Sequence, residues 1–307
     1  MTSFVFPGQG SQFVGMSKDF YDNFSASKLV IDEIEDITSI SIKNIMFEDY
    51  QKQIDLTQYT QICIFAASIS IFRAISENFN LEDFKINYMF GHSLGEYSAL
   101  AASNKISINN ASRLLKMRGE FMQDTIAPNT STMAAIIGLS SKEVENIINN
   151  SDLKIHIAND NSNQQVVISG LIKDIENSKK IFENHGAKKF VILKVSAAFH
   201  CPLMNEAQEK LKSLIEETNF DQNNISIISN YSAQISNKNI EIKQSLINQM
   251  ANKVRWTESI DNLAKTNDFK VIEIGPGKVL SGLIRRINKN FSINSINSID
   301  DLKSLKL

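Results

Sequence analysis

The stretch Gly91-His92-Ser93-Leu94-Gly95 decides the fold, because it has the G-x-S-x-G pattern of a nucleophile elbow. Residues 86–90 before it have strand character, and residues 96–102 after it are rich in alanine and leucine, which favour a helix. Glycines at both ends of the motif permit a tight turn and a close approach of strand and helix. The serine hydroxyl would then project at a helix N-terminus, where the helix dipole favours negative charge. The motif therefore predicts covalent acyl chemistry on serine.

Strands and helices alternate on both sides of the elbow, which predicts an α/β fold. The strands expected in one parallel sheet are residues 3–6, 86–90, 225–229 and 270–274. Between them the element order is β-α-β-β-α-β, the signature of a ferredoxin-like unit, with strands expected at residues 132–137, 155–158, 166–169 and 189–193. We predict a large domain of residues 1–126 and 198–307 that carries an inserted small domain of residues 127–197. A cleft between two such lobes is the usual place for a site.

Composition narrows the function classes further. The 307 residues carry 32 basic and 34 acidic side chains, and the formal net charge of -2 gives no reason to expect nucleic acid as a partner. Cys63 and Cys201 have neither zinc-site nor C-x-x-C spacing, which is typical of a reduced intracellular protein. The first residues have no signal-peptide pattern, and no stretch offers 18 uninterrupted apolar residues. We expect a cytoplasmic protein without a membrane partner.

A serine nucleophile needs a base, and the chain has four histidines. His92 adjoins the serine on a turn and is expected to pack or to hydrogen-bond rather than to act as the base. His156 lies in an expected strand of the small domain, and His185 lies in a turn that ends a helix. His200 follows the small domain, where the chain re-enters the large one. It is therefore the candidate that can face Ser93 across the cleft.

Six segments match, in order, the motifs of one family. They are Phe6-Pro7-Gly8-Gln9-Gly10-Ser11-Gln12, Gly91 to Ala99, Met117-Arg118-Gly119, Gln165-Val166-Val167-Ile168-Ser169-Gly170, Phe199-His200-Cys201, and Glu273 to Leu280. The chain thus resembles, from end to end, the malonyl-CoA:acyl carrier protein transacylases of type II fatty acid synthesis. The resemblance implies an α/β-hydrolase-like large domain with an inserted ferredoxin-like subdomain. It also implies ping-pong transfer of malonyl from malonyl-CoA, through a malonyl-serine ester, to the phosphopantetheine thiol of holo acyl carrier protein.

The same resemblance assigns the catalytic roles. Ser93 would be the nucleophile and His200 the base of a Ser-His dyad, and a backbone carbonyl, here expected at Arg255, would orient the imidazole. The backbone N–H groups of Gln9 and Leu94 would form the oxyanion hole. A carboxylate that orients His200 is the alternative to the backbone carbonyl.

Four further residues would recognise the substrate or line the cleft. Arg118 would pair with the free carboxylate of malonate through its planar fork. Phe199, in Ala198-Phe199-His200, would leave no room for an α-methyl branch and so favour malonyl over methylmalonyl. Asn159 and Asn161 match asparagines that line the cleft in relatives. An ordinary loop residue without a role in binding is almost as good an interpretation of each.

The carrier protein would be small and acidic, so basic residues are expected near the mouth of the cleft. The candidates are Lys188, Lys189, Lys278, Arg285, Arg286 and Lys289. A plain solvated helix face is an equally good interpretation of these side chains. No metal or other cofactor is implied, because acyl transfer between thioesters is nearly isoenergetic, and coenzyme A is a substrate here. A monomer is expected.

Three alternatives remain open from the sequence. A serine thioesterase or hydrolase would use the same elbow, but it would not need Arg118. A discrete acyltransferase of polyketide synthesis would have every motif named above, and only its carrier would differ. An inactive carrier-binding protein is disfavoured, because Ser93, His200 and Arg118 are all present.

Overall fold

The computed structural model describes residues 1–127 and 129–305. The strands of these residues are β1 (Thr2–Phe6), β2 (Ile86–Gly91), β3 (Ser131–Ile137), β4 (Ile155–Ser162), β5 (Gln165–Leu171), β6 (Lys189–Ile192), β7 (Ser226–Ile228), β8 (Ile235–Ser236), β9 (Lys270–Ile274) and β10 (Ser292–Ile296).

The helices of the described residues follow in chain order. They are α1 (Lys18–Asn23), α2 (Ser25–Thr38), α3 (Ile42–Phe47), α4 (Thr57–Asn78), α5 (Gly95–Ala102), α6 (Ile108–Asp124), α7 (Ser141–Asn149), α8 (Ile172–Asn184), α9 (Asn205–Glu217), α10 (Asn239–Ile247), α11 (Trp256–Ala264), α12 (Val279–Ile287) and α13 (Ile299–Lys303). Short 3-10 turns at Leu81–Phe84 and Pro202–Met204 precede β2 and α9.

The large sheet has six strands in the order β10-β9-β1-β2-β7-β8, and every neighbouring pair except β7 with β8 is parallel. The centre of the sheet is β1, which is buried along its whole length. Its alternating side chains separate two cores, because Phe4 and Phe6 pack with α4 on one face while Val5 packs with Trp256 on the other. Parallel pairing also aligns Phe6 with Gly91, so the loop after β1 lies beside the elbow.

The small sheet has four strands in the order β4-β5-β3-β6, all in antiparallel pairs. Ser140 and Glu143 form a capping box at the start of α7. Ala134 and Ile136 face α7 and α8, whereas Met133 faces the large lobe. The element order and the strand order are those of a ferredoxin-like unit, so the predicted two-part α/β fold is confirmed.

Helix α4 is apolar on nearly all sides because it is a core helix. Among the described residues it alone is long and apolar enough to cross a bilayer, with a mean hydropathy of 1.3 in its most apolar window. Within the fold, however, 83% of that window is buried. Burial against β1 and the neighbouring helices accounts for its composition.

The large sheet has two strands more than the four predicted, β8 and β10, one at each edge. Strand β10 was not predicted, because its sequence Ser-Ile-Asn-Ser-Ile is largely polar, and the structure places it at an edge of the large sheet. Helix α9 begins at Asn205, directly after the 3-10 turn at Pro202–Met204. The predicted limits of the inserted domain, 127 and 197, stay a prediction, and Pro128 within them lies outside the described residues.

Candidate active site

Ser93 occupies a sharp turn between β2 and α5, with a left-handed backbone φ of 54°. A non-glycine residue in this conformation costs about 1–2 kcal/mol. The glycines on both sides make the turn possible. A Cβ on Gly91 would lie 2.1 Å from the Gly95 carbonyl carbon, and a Cβ on Gly95 would lie 2.1 Å from the Phe6 carbonyl oxygen. Strand, turn and helix therefore meet at distances that only glycine allows.

Asn230, which follows β7, holds this strained turn in place. Its Oδ1 accepts a hydrogen bond from the Ser93 N–H at 2.6 Å, and its Nδ2 donates to the Gly91 carbonyl at 2.7 Å. Its own N–H donates to Glu96 Oε2 at 3.0 Å. One buried side chain thus satisfies two backbone groups of the turn, the Ser93 N–H and the Gly91 carbonyl, and buried backbone groups need such partners.

His200 completes a dyad with Ser93. The Ser93 Oγ lies 2.8 Å from His200 Nε2, and both residues are buried. On the other side of the ring, His200 Nδ1 lies 3.1 Å from the main-chain carbonyl of Gln249. A carbonyl only accepts, so Nδ1 carries the proton and Nε2 is free to accept the serine proton. His200 shares the left-handed backbone of Ser93, with a φ of 56°.

The prediction that the Arg255 carbonyl orients the imidazole is wrong. The orienting carbonyl belongs to Gln249, in the segment between α10 and α11. The Arg255 carbonyl instead caps α11, where it accepts from the Ser259 N–H and hydroxyl. The Arg255 side chain pairs with Glu258, at 2.6 Å from Nε to Oε2. Arg255 is the N-cap residue of α11, so its carbonyl is used by the first turn of that helix.

The surroundings of His200 keep it neutral. Burial, followed by the positive charge of Arg118, lowers the pKa of His200 from 6.5 to about 3. A neutral imidazole is the form that can accept the serine proton. His200 is therefore in the basic form throughout the neutral pH range.

Arg118 comes from α6 and reaches the nucleophile itself. Its Nη2 lies 3.0 Å from Ser93 Oγ and 3.0 Å from Gln249 Oε1, and its Nη1 donates to Gln61 Oε1. Only 1% of the residue is exposed, and among the described residues its Nε has no hydrogen-bond partner. Burial lowers the pKa of this guanidinium. A buried cation with a spare N–H, next to the nucleophile, is suited to an anionic group on the substrate.

The backbone N–H groups of Gln9 and Leu94 are the predicted oxyanion hole. Within the part of the chain that the structure describes, neither N–H donates to a protein acceptor. Leu94 precedes α5, where the N–H groups of the first turn and the helix dipole favour an anion. Gln9 lies in the loop after β1, and the residue before it, Gly8, approaches the His92 carbonyl. Both N–H groups therefore remain without a protein acceptor in the described residues, and their role as the oxyanion hole stays a prediction.

A cavity of about 310 Å³ leads to the dyad. Its wall contains the two residues of the dyad, polar side chains of the β1 loop and of the small sheet, and apolar side chains of both lobes: Gln9, Gln12, Asn159, Met122, Met133, Leu193 and Phe199. Phe199 is buried directly before His200. The cavity therefore lies between the two lobes, as predicted.

His92 is a packing residue, in agreement with the sequence. Its Nε2 lies 2.9 Å from Asn161 Oδ1, and its ring lies against Trp256 with centroids 5.3 Å apart. Burial lowers the pKa of His92 to about 4. Asn161 thus supports the elbow through His92, whereas Asn159 lines the cavity.

Four residues of this site were not predicted: Gln61, Glu96, Asn230 and Gln249. Gln61 and Gln249 contact Arg118, Asn230 contacts the elbow, and Glu96 accepts from both Asn230 and Gln249. Asn and Gln are frequent in this chain, and nothing local distinguishes these from the others. Glu96 was the one residue of the four with a signal in the sequence. It is the only charged residue of α5, whose sequence is otherwise small or apolar apart from Tyr97 and Ser98.

No group of three or more metal-binding side chains occurs in residues 1–127 and 129–305. The predicted basic candidates are exposed, but α12 directs two of them apart. Arg285 donates to the Ile293 carbonyl of β10, whereas Arg286 donates to Gln165 at the start of β5. The structure also places Lys194, which the sequence did not single out, at the wall of the cavity.

A parallel sheet with a nucleophile elbow, a Ser-His dyad and a buried arginine beside the serine define a serine-dependent acyl-transferring enzyme. Residues 3–303 match the acyl transferase domain family. The chain is 35% identical over 304 residues to a malonyl CoA-acyl carrier protein transacylase of Bacillus subtilis, covering 98% of this chain and 95% of that protein. The chain belongs to this family of acyltransferases.

Solved structures agree closely in fold. An acyl-carrier-protein-S-malonyltransferase from Bartonella henselae has a TM-score of 0.93 at 37% identity and covers 99% of this chain and 97% of its own. A type II PKS acyl-carrier protein in complex with its malonyl-transacylase, PlMCAT:AntF, has a TM-score of 0.94 at 32% identity, covering 99% and 98%.

Proposed function

We propose that this enzyme transfers the malonyl group of malonyl-CoA to the phosphopantetheine thiol of an acyl carrier protein, through a malonyl ester on Ser93. The names of its relatives support the reaction. The single observation that carries it here is the contact of Arg118 Nη2 with Ser93 Oγ, at 3.0 Å, at the end of the cavity. An arginine in that position provides a partner for the second carboxylate of malonate, which acetyl lacks.

In the first half-reaction, Ser93 Oγ attacks the thioester carbonyl while His200 Nε2 takes the hydroxyl proton. The new O–C bond produces an oxyanion, which the N–H groups of Gln9 and Leu94 stabilise. The C–S bond then breaks, and the departing thiolate of coenzyme A takes the proton from His200. The product is malonyl-Ser93 with a neutral dyad.

In the second half-reaction the carrier thiol gives its proton to His200 and attacks the ester. Collapse of the oxyanion breaks the Ser93 O–C bond, and His200 returns the proton to Ser93 Oγ. Because the chemistry exchanges one thioester for another, it needs no metal and no other cofactor. Phe199, at the wall of the cavity, would exclude an α-methyl branch and so favour malonyl over methylmalonyl.

We also propose that the carrier docks on the basic surface around the cavity mouth, formed by Lys188, Lys189, Lys194, Lys278, Arg286 and Lys289. Lys194 lines the cavity, and Lys278 follows Gly277, which approaches Ser11 beside the β1 loop. Arg285 is omitted, because it turns toward β10. A single chain supplies the whole dyad and Arg118, which supports a monomeric enzyme. We also propose that the enzyme is cytoplasmic, together with the fatty acid synthesis that it would serve.

The experiment is intact-mass analysis after mixing with malonyl-CoA and then with holo acyl carrier protein. We expect a malonyl adduct on the native enzyme, none on Ser93→Ala, and discharge of the adduct to the carrier. Arg118→Ala should slow malonyl transfer far more than acetyl transfer. An adduct that is lost equally fast in buffer would instead indicate a hydrolase, and the absence of any adduct would refute the proposal. A panel of carriers from fatty acid and polyketide synthesis would separate these two pathways.

A further inference from the structure

Glu96 is a buried carboxylate that the reaction above does not use. It lies in the first turn of α5, three residues after the nucleophile, and none of its surface is exposed. Its Oε2 accepts from the Asn230 N–H at 3.0 Å and from Gln249 Nε2 at 2.8 Å. Burying an ionisable group at a catalytic site is costly, and such groups are often functional.

The contact with Gln249 is the important one, because Gln249 connects Glu96 to Arg118. Gln249 Nε2 donates to Glu96 and, at 3.0 Å, to the Ser93 carbonyl. The amide oxygen, Oε1, then accepts from Arg118 Nη2 at 3.0 Å. An amide rotated by 180° would direct its NH₂ at the guanidinium, where two donors would meet, and its oxygen at two acceptors.

An ionised carboxylate can only accept hydrogen bonds. The Glu96 carboxylate therefore disfavours the rotated Gln249 amide more strongly than the Ser93 carbonyl does alone. The reason is that a hydrogen bond to a charged acceptor is stronger than one to a neutral acceptor. The correct orientation directs the amide oxygen at Arg118, which also donates to Gln61 and Ser93 and lies over the Tyr97 ring.

We infer that Glu96 is a positioning residue for Arg118. Its carboxylate fixes the side-chain amide of Gln249, and this amide holds the guanidinium against Ser93 Oγ, ready for the carboxylate of the acyl group. The inference rests on the proposed function, because it assigns Glu96 to the recognition of the malonyl group.

The orientation of His200 does not depend on the Gln249 side chain. The Gln249 carbonyl that orients His200 is part of the main chain, and neighbouring bonds anchor that segment. His200 N–H donates to the Met250 carbonyl at 3.1 Å, and the Ala251 N–H donates to Gln208 Oε1 at 3.0 Å. A change in the Gln249 side chain therefore acts on Arg118 and leaves the imidazole in place.

The test is Glu96→Gln, which keeps the size of the side chain and an acceptor for the Asn230 N–H but removes the charge. The rate constants of Ser93 acylation by malonyl-CoA and by acetyl-CoA are measured in single turnovers by intact mass. We expect the malonyl rate to fall roughly tenfold and the acetyl rate to stay within about twofold. In an Arg118→Ala background, Glu96→Gln should add no further loss of malonyl transfer.

Glu273→Gln is the matched control. Glu273 is equally buried, but it accepts from the Leu280 and Ser281 N–H groups at the start of α12 and does not contact the dyad. It should change neither acylation rate. If Glu96→Gln fails to fold, Gln249→Leu removes the same amide and should cause the same malonyl-specific loss.

Equal slowing of malonyl and acetyl transfer by Glu96→Gln, or a loss that adds to that of Arg118→Ala, would overturn the inference. These outcomes differ from a failure of the proposed function. In that case the native enzyme forms no malonyl adduct, or Arg118→Ala leaves the preference for malonyl over acetyl unchanged.

Discussion

Ser93 and His200 both have a left-handed backbone, and the surrounding contacts hold it. Each conformation costs about 1–2 kcal/mol, and Asn230 on one side and the Met250 carbonyl on the other stabilise the two turns. The strain places Oγ and Nε2 at 2.8 Å before any substrate binds. Such a preorganised pair does not have to reorganise when the reaction begins.

The pH dependence of acylation should separate the base from Glu96. His200 has a pKa lowered to about 3, so it stays neutral and active at every pH well above that value. Burial raises the pKa of Glu96 from 4.5 to about 6, against its hydrogen bonds and the charge of Arg118, so Glu96 loses its charge as the pH falls through 6. We expect acetyl transfer to be flat between about pH 5 and 8 and malonyl transfer to decline below about pH 6.

Single-turnover rates across this pH range are the measurement. In Glu96→Gln the decline of malonyl transfer near pH 6 should disappear, because no carboxylate remains to be protonated. A common fall of both rates near pH 6.5 would instead show that His200 titrates at its ordinary pKa.

At the scale of elements, the elbow depends on the approach of α5 to β1. Gly95→Ala would bring a Cβ to 2.1 Å from the Phe6 carbonyl oxygen, and main-chain atoms cannot move aside cheaply. We expect it to abolish Ser93 acylation and to destabilise the fold by about 2–3 kcal/mol or more. Malonyl labelling and thermal unfolding are the measurements.

Gly282 provides the control, since it is also a helical glycine. Among the described residues an added Cβ there meets no atom within 4 Å, so Gly282→Ala in α12 should raise the free energy of unfolding by about 0.5–1 kcal/mol. Acylation should be unaffected. Equal behaviour of the two variants would mean that helix propensity, and not close approach, explains Gly95.

Strand β10 illustrates what an element needs from its neighbours. Its isolated sequence, Ser-Ile-Asn-Ser-Ile, has two isoleucines three residues apart among polar residues and gives a weak strand signal. Only pairing with β9, residue by residue from Ser292 with Lys270 to Ile296 with Ile274, makes it a strand. Ile293 and Ile296 then pack on the core of the large lobe.

At the scale of the whole molecule, two sheets with separate cores form a cleft with the dyad between them. The wall of the cavity takes Gln9 from the loop after β1 and Met133 from β3. Residues 193–195 and His200 close it from the segment that leaves the small sheet. Neither lobe holds the complete site, because the large one supplies the nucleophile and the other closes the cavity over it.

Carrier docking belongs to this scale, because the proposed basic surface extends over both lobes. Arg286→Glu reverses one charge of that surface, and we expect the KM for the carrier to rise roughly tenfold at low salt and less at high salt. Steady-state transfer at several carrier and salt concentrations is the measurement.

Lys180→Glu is the control for that charge reversal. Lys180 lies on α8, which covers the face of the small sheet formed by Ala134 and Ile136, whereas Met133 on the opposite face lines the cavity. It should leave the KM unchanged. If both variants weaken transfer alike, the carrier responds to net charge and not to a docking surface.

The amino-acid sequence by itself determined the two-part α/β architecture and singled out Ser93, His200 and Arg118, which the structure brings together. These features depend on local patterns: the spacing of glycines around a serine, a capping box, the alternation of strands and helices, and short motifs in order. Each of these can be recognised without knowing what lies beside it in space.

Only the tertiary structure decided which groups complete the site. Gln249, and not Arg255, orients His200, and Asn230 holds the elbow from 137 residues further along the chain. Glu96 and Gln249 contact each other across 153 residues. Hydrogen-bond partners at such separations are selected by how the lobes pack, and one asparagine or glutamine in a chain rich in both is indistinguishable from the next until that packing is known.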